Sequence, residues 1–129
     1  MSKINGFDLD GVISIGIHPG PNDVIITGRS IEESPETLLM LQEKGITNEV
    51  FFNPLPYNEK TRTSSGQHKA RTLKTLKQLK IPITNFFEDD PIQITEIEKE
   101  CPWVDIVYVK HDLTNKENQR APEYQEGNK

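Results

Sequence analysis

The sequence predicts an α/β fold, a three-layer α/β/α sandwich in which helices flank a mostly parallel sheet of about five strands. Short apolar runs alternate with helical segments along the chain. The apolar runs are rich in β-branched and aromatic residues and are bounded by turn residues, as strands are. A strand–helix–strand order also permits right-handed crossovers between parallel strands. These observations favour a doubly wound sheet.

The strands are predicted from the apolar runs. They cover Ile4 to Leu9, Val24 to Thr27, Glu49 to Phe52, Ile83 to Phe87 and Val104 to Val109. The segment from Asn53 to Gly66 is rich in Pro, Asn, Ser and Thr, which predicts a loop.

The helices are predicted from capping signals and periodicity. The first lies between Ser30 and Lys44, with Ser34-Pro35 as a start signal and Gly45 as a stop. The second runs from about Gln67 to Leu79. Its core-facing stripe is predicted to be Ala70, Leu73, Leu76 and Leu79. The third opens at Asp90-Pro91 and ends before Pro102.

Composition limits the class of protein. The chain has 129 residues, which suits one domain, predicted over residues 1–110 and followed by a polar tail over 111–129. A net charge of -5 argues against broad, non-specific nucleic-acid binding. The single cysteine, Cys101, excludes an internal disulfide and fits a reducing compartment. No apolar run approaches the roughly 18 residues of a membrane helix, and no signal peptide is evident, so we expect a cytoplasmic protein.

Acidic side chains follow two of the predicted strands. Asp8 and Asp10 follow the first strand, and Glu88-Asp89-Asp90 follow the fourth. Residues i and i+2 of an extended chain face the same side, so the carboxylates of Asp8 and Asp10 would repel each other unless a cation neutralises them. Mg²⁺ prefers such oxygen ligands. Ligands of doubly wound sheets bind beyond the carboxyl ends of the strands, which predicts a metal site there.

Groups that suit a phosphate lie at the same edge. Thr27-Gly28-Arg29 follows the second strand and offers a hydroxyl and backbone N–H groups. The second helix leads into the fourth strand, so its N-terminus lies at the edge where the strands end. Lys69, placed in the first turn of that helix, is therefore predicted to point toward Asp8.

These segments resemble the motifs of the haloacid dehalogenase superfamily. Phe7-Asp8-Leu9-Asp10-Gly11-Val12 resembles the first motif and Ile25-Ile26-Thr27-Gly28-Arg29 the second. Lys69 fits the third motif, and Phe86-Phe87-Glu88-Asp89-Asp90 the fourth. The match spans roughly residues 4 to 110, with all four elements in order. The resemblance implies a Rossmann-like fold and a Mg²⁺-dependent phosphomonoester hydrolase.

The resemblance also implies a role for each residue. Asp8 would be the nucleophile, giving an aspartyl-phosphate, and Asp10 the general acid and base. Thr27, Gly28, Arg29 and Lys69 would bind the phosphate, with Thr27 and Lys69 counted as catalytic. The metal ligands would be Asp8, Asp10, Asp89 and Asp90.

Some assignments leave alternatives open. Asp8 and Asp10 could be turn residues, and Lys69 an exposed helix lysine. Asp90 precedes Pro91, so helix capping alone would explain it. Glu88 is unusual for the fourth motif and could replace its neighbour as a metal ligand. Arg29, His18, Lys60 and Arg62 lie near the same edge and could touch substrate, although a surface position is the plainer interpretation for each.

The short connections have consequences for the substrate. Gly11 to Asp23 and Asn53 to Gly66 are too short for the inserted cap domain of many superfamily members, which predicts a cap-less, open site. The partner is then a phosphorylated substrate, with a nucleotide or nucleic-acid end as one candidate and no membrane. A homo-oligomer covering the site is another expectation. The alternatives in function are a nucleotide or polynucleotide 3′-phosphatase, and a catalytically silent domain that binds a phosphate or a partner.

Overall fold

Five parallel strands form one sheet in the order β3-β2-β1-β4-β5. The structure is a computed structural model that describes residues 3–110, so the predicted tail over 111–129 lies outside the described residues. The strands are β1 (Ile4–Phe7), β2 (Val24–Ser30), β3 (Val50–Asn53), β4 (Ile83–Glu88) and β5 (Asp105–Tyr108). The helices are α1 (Ser34–Glu43), α2 (Arg62–Gln78) and α3 (Pro91–Glu100). The predicted α/β class and the five-stranded parallel sheet are confirmed.

Apolar side chains cover both faces of the sheet. Ile26 and Phe86 point to the face that buries Leu73 of α2 and Ile97 of α3. Their neighbours point the other way and pack with Leu41 of α1. Alternate residues of a strand face opposite sides, so each buried strand contributes to two cores. The helices therefore lie in layers on both sides of the sheet.

The central position of β1 determines where the site lies. Phe7, the last residue of β1, pairs with Ile25 of β2 and with Phe87 of β4. The Phe7 and Phe87 rings stack with centroids 4.5 Å apart. Asp8 therefore leaves the sheet between two neighbouring strands that end at the same edge, called here the carboxyl edge.

Two strand boundaries differ from the prediction. β1 ends at Phe7 instead of Leu9, because the chain turns at once through Leu9–Ile13, where the Ser14 N–H donates to the Leu9 carbonyl oxygen at 3.0 Å. β2 continues to Ser30, whereas the prediction ended it at Thr27. Its pairing with β3 is irregular between Ile26 and Ser30, so Thr27 to Arg29 lie in an uneven part of the strand.

The start of α2 was predicted five residues too late. The segment from 53 to 66 is not one loop, because it holds a short 3₁₀ turn at Tyr57–Glu59 and the first residues of α2. Thr61 caps α2, and Ser64 completes a reciprocal capping box. Lys69 consequently lies about two turns into the helix and not in its first turn.

The start of α1 also differs from the prediction. Ser34 is already helical, and a capping box between Ser30 and Glu33 precedes it. The stop at Gly45 is confirmed, since this glycine has a φ of 74°.

The core stripe of α2 is confirmed for three of its four members. Ala70, Leu73 and Leu76 are buried, but Leu79 is 64% exposed. A spacing of three residues falls short of the 3.6-residue turn, so the stripe rotates around the helix and leaves the core by its fourth member.

Among residues 3–110, no helix combines the length and apolar character needed to cross a membrane.

Candidate active site

An irregular turn over Leu9–Ile13 presents the first two aspartates. The backbone N–H of Asp8 donates to the carbonyl oxygen of Phe87, at 2.9 Å, and so fixes the exit from β1. Asp10 is extended within the turn, and Gly11 follows with a φ of 87°, which favours glycine. Ser14 closes the turn by accepting from the Gly11 N–H at 2.8 Å.

Lys69 joins two of the acidic segments. Its ammonium donates to Asp8 Oδ1 at 2.9 Å and to Glu88 Oε1 at 2.6 Å. All three side chains are buried. The predicted approach of Lys69 to Asp8 is what the structure shows, and the surface alternative for Lys69 is wrong. Glu88 was considered only as a replacement metal ligand, and its bond to Lys69 was not anticipated.

Arg29 holds Asp10 with two hydrogen bonds. Its Nε donates to Asp10 Oδ2 at 2.9 Å and its Nη2 to Oδ1 at 2.8 Å. The remaining Nη1 donates to Thr37 Oγ1 of α1 at 2.9 Å. A bidentate pair fixes the plane of the carboxylate as well as its position. Arg29 was predicted to bind substrate, and in this structure its guanidinium orients Asp10.

Asp90 is engaged on all sides. Oδ1 accepts from Arg62 Nη2 at 2.6 Å and from the Ile92 N–H at 2.9 Å, at the start of α3. Oδ2 accepts from Arg62 Nε at 2.8 Å and from Gln93 Nε2 at 3.1 Å. An ionised carboxylate offers about four lone-pair sites, and these four bonds use them. The geometry therefore favours the capping alternative over metal ligation for Asp90.

Three other carboxylates meet closely. Asp8, Glu88 and Asp89 each offer an oxygen within 4.8 Å of the others, and all three residues are buried. Glu88 Oε2 accepts from the backbone N–H groups of Asp89 and Asp90, at 3.1 and 3.2 Å, which fixes the chain after β4. Hard oxygen donors of this kind are the ligands that Mg²⁺ prefers. Asp10 is not in this group, because its carboxylate faces Arg29.

Thr27 and Gly28 lie beside these groups. Thr27 is fully buried, and its Oγ1 accepts from the Arg29 N–H at 3.1 Å. A Cβ at Gly28 would lie 2.7 Å from Ser65 Oγ of α2, so any larger residue would push the helix away. The Lys60 ammonium donates to the Gly28 carbonyl oxygen at 3.3 Å and to Glu33 Oε2 at 3.0 Å.

The surface interpretation is wrong for three basic residues. Arg29, Lys60 and Arg62 are 2%, 0% and 7% exposed, whereas His18 is exposed as expected. Each buried cation pairs with a carboxylate that lies 19 to 28 residues away along the chain. Their positions in the sequence indicated a place near the site, since Arg29 lies at the end of β2 and Lys60 follows β3.

His68 was not anticipated as part of this region. It precedes Lys69 on α2 and is buried, with Nε2 lying 3.3 Å from the Phe51 carbonyl oxygen of β3. Burial is the main reason why its pKa falls from 6.5 to about 4, and the neighbouring Lys69 charge contributes to that decrease. The ring is therefore neutral near pH 7.

Negative charge exceeds positive charge at the carboxyl edge. Six carboxylates are paired or clustered there, and four cations lie among them. The carboxylates are Asp8, Asp10, Glu33, Glu88, Asp89 and Asp90, and the cations are Arg29, Lys60, Arg62 and Lys69. In formal charge the edge carries two negative charges in excess, which is the charge that one divalent cation would offset.

Compared with family models, curated proteins and solved structures, the chain matches none of them. The motif resemblance and the geometry above are therefore what bear on function.

Proposed function

We propose that this protein is a Mg²⁺-dependent phosphomonoester hydrolase in which Asp8 is the nucleophile. The observation that carries the proposal is the contact between Lys69 and Asp8, 2.9 Å apart and buried, at an edge that also holds Asp10 and Thr27. A carboxylate beside a fixed ammonium can attack phosphorus while the ammonium offsets the phosphate charge.

In the first step, a carboxylate oxygen of Asp8 forms a bond to phosphorus as the bond from phosphorus to the substrate oxygen breaks. Asp10 takes up a proton from solvent when the substrate binds and donates it to that leaving oxygen, so the alcohol departs neutral. Thr27 and the nearby backbone N–H groups hold phosphoryl oxygens. Arg29 keeps the Asp10 carboxylate in one plane through its two hydrogen bonds.

In the second step, water attacks the phosphorus of the aspartyl-phosphate. Asp10 accepts a proton from the water, inorganic phosphate leaves and the Asp8 carboxylate is regenerated. One water is consumed for each phosphomonoester cleaved. Lys69 remains bonded to Glu88 throughout, so it stays in place while Asp8 carries the phosphoryl group.

A divalent cation fits the donor set. Asp8, Glu88 and Asp89 supply hard oxygens, and the edge has two negative charges in excess. When bound, Mg²⁺ would offset charge on the phosphoryl oxygens. Asp10 and Asp90 were also expected as ligands, but their side chains face Arg29 and Arg62.

The proposal is tested with p-nitrophenyl phosphate and Mg²⁺. Asp8→Asn removes the nucleophile with little change in shape, so we expect turnover to fall by roughly a thousandfold or more. Asp105→Asn is the matched control, because Asp105 is exposed on β5 and should leave turnover unchanged. Equal rates for the wild type and Asp8→Asn would overturn the proposal.

Two further outcomes separate the alternatives. Faster cleavage of a 3′-phosphorylated oligonucleotide than of a mononucleotide would identify a polynucleotide 3′-phosphatase. Saturable binding of inorganic phosphate without turnover of any of these substrates would instead indicate a catalytically silent binding domain.

A further inference from the structure

The segment after β3, residues 54–61 and here called the strap, is fastened to the end of β2. Ser30 Oγ donates to the Leu55 carbonyl at 2.6 Å, and the Tyr57 N–H donates to Glu32 Oε1 at 2.9 Å. β3 ends at Asn53, so the strap begins at the carboxyl edge. It therefore lies beside the end of β2 that carries Thr27, Gly28 and Arg29.

Lys60 connects the strap to Gly28, near the end of β2. Its side chain is fully buried, and its ammonium lies 3.3 Å from the Gly28 carbonyl oxygen and 5.1 Å from the centroid of the Tyr57 ring. A single side chain thus spans from Gly28 to the ring. The Lys60 ammonium also donates to Glu33, so hydrogen bonds to two different residues hold it against the Tyr57 ring.

Tyr57 is a partly exposed aromatic residue at this position. It is 36% exposed, although the ammonium of Lys60 lies over its ring. Among the aromatic side chains of residues 3–110, only Tyr57 and Tyr108 are exposed. Tyr108 ends β5, an edge strand on the far side of β1 from the strap.

We propose that Tyr57 is a specificity residue that stacks on a planar ring in the leaving group of the substrate, as in a nucleoside monophosphate. The inference rests on the proposed function, because it places the phosphate at Asp8 and Thr27 and the nucleoside over the strap. It adds the substrate class and the residue that selects it.

Two physical features favour a ring over an aliphatic group. Every nucleobase has a π-face, so a tyrosine platform accepts any base without hydrogen-bond readout. The strap is also fastened before the ligand arrives, and tyrosine has few rotatable bonds, so little conformational entropy is lost on stacking. Lys60 beneath the ring fixes it through a cation–π contact.

The experiment compares kcat/KM for a nucleoside monophosphate and for glycerol phosphate in each variant. Tyr57→Ala is expected to raise KM for the nucleotide about tenfold and to change glycerol phosphate less than twofold. Tyr57→Phe keeps the ring and is expected to retain the nucleotide preference, whereas Tyr57→Leu is expected to lose it. Dividing each variant's value by that of the wild type removes the intrinsic reactivity of the two esters.

Tyr108→Ala is the matched control, since it removes the same exposed side chain from β5, the edge strand on the far side of β1. It is expected to leave the preference unchanged. A loss as large as that of Tyr57→Ala would overturn the proposal, as would equal losses on both substrates in Tyr57→Ala. Unchanged melting temperatures would show that the variants are folded.

A binding measurement keeps this inference separate from the proposed hydrolysis. Calorimetry with the nucleotide and with glycerol phosphate needs no turnover. Nucleotide binding that depends on Tyr57, without hydrolysis, would refute the proposed hydrolysis and support stacking on Tyr57. Hydrolysis that does not depend on Tyr57, or no nucleotide binding at all, would refute the stacking proposal.

Discussion

At the carboxyl edge, the arginines and the lysine hold their carboxylates in different ways. Arg29 and Arg62 each hold one carboxylate with two hydrogen bonds, which suits a planar guanidinium. Lys69 is a compact charge and divides its contacts between Asp8 and Glu88. In the proposed reaction, a shared lysine is useful because Glu88 retains it when Asp8 is phosphorylated. Replacing Lys69 by arginine would not reproduce this sharing.

The buried imidazole of His68 predicts a pH dependence of stability. Its pKa is about 4 in the folded chain and 6.5 in the unfolded chain, so between these values the unfolded state binds the extra proton. The free energy of unfolding should therefore fall as the pH drops from 6.5 toward 4, by about 3 kcal/mol at most. His68→Gln should flatten this part of the curve, measured by urea denaturation at each pH.

His18→Gln provides the control for that measurement. His18 is exposed, so the same substitution there should leave the pH dependence as it is in the wild type. Carboxylates also titrate in this range, but they are common to all three proteins. Parallel curves for the wild type and His68→Gln would contradict the prediction.

At the scale of elements, α3 is attached to α2 through the side chain of Asp90. This residue caps α3 at Ile92 and pairs with Arg62 in the first turn of α2. The two helices pack against each other closely enough that a Cβ at Gly66 would lie 2.9 Å from the Gln93 Cα. Asp90 thus contributes to the α2–α3 interface. Lys69 is part of α2, and Asp89 directly precedes Asp90, the N-cap of α3.

We expect Asp90→Asn to destabilise the protein by about 2 to 4 kcal/mol, because it leaves the buried Arg62 charge without its carboxylate. Chemical denaturation measures this loss. Asp105→Asn, on the exposed part of β5, should change stability by less than about 0.5 kcal/mol. If Asp90→Asn were as stable as the wild type but lost its response to Mg²⁺, Asp90 would be a metal ligand and not a cap.

The sequence predicts elements best where one local signal dominates. Asp90-Pro91 locates the start of α3 correctly, and the β-branched run from Val24 locates β2. The first turns of α2 were missed because Thr, Ser and Gly favour loops, whereas here Thr61 and Ser64 cap a helix. Local composition does not distinguish these two uses of the same residues.

The positions of the candidate site residues were predictable to the extent that they follow strand ends. The placement of Asp8 and Asp89 at the carboxyl edge was predicted in this way, and that of Lys69 from the direction of α2. The partners of Arg29 and Arg62 were not, because each pairing joins segments that are distant in sequence. Such pairings depend on strand order and on the packing of α2 against α3, which a pattern along one chain does not contain.

At the scale of the whole molecule, the parallel sheet concentrates charge at one edge. All five strands end there, so the acids and cations that follow or face those ends are brought together. The chain has a net charge of -5, and the carboxyl edge alone has an excess of two negative charges. Repulsion among these groups opposes folding, and a bound divalent cation would relieve it.

Mg²⁺ should therefore stabilise the folded protein even without a substrate. At a concentration one hundred times its Kd, a ligand that binds only the folded state adds about 2.7 kcal/mol, which corresponds to roughly 10 °C in Tm for a domain of this size. Differential scanning calorimetry with MgCl₂ measures the shift, and NaCl at equal ionic strength controls for screening. Asp89→Asn should lose most of the shift, whereas Asp105→Asn should keep it. A shift of the same size in Asp89→Asn would show that the ion binds at another site. The absence of any shift in the wild type would contradict the prediction that Mg²⁺ stabilises the folded protein.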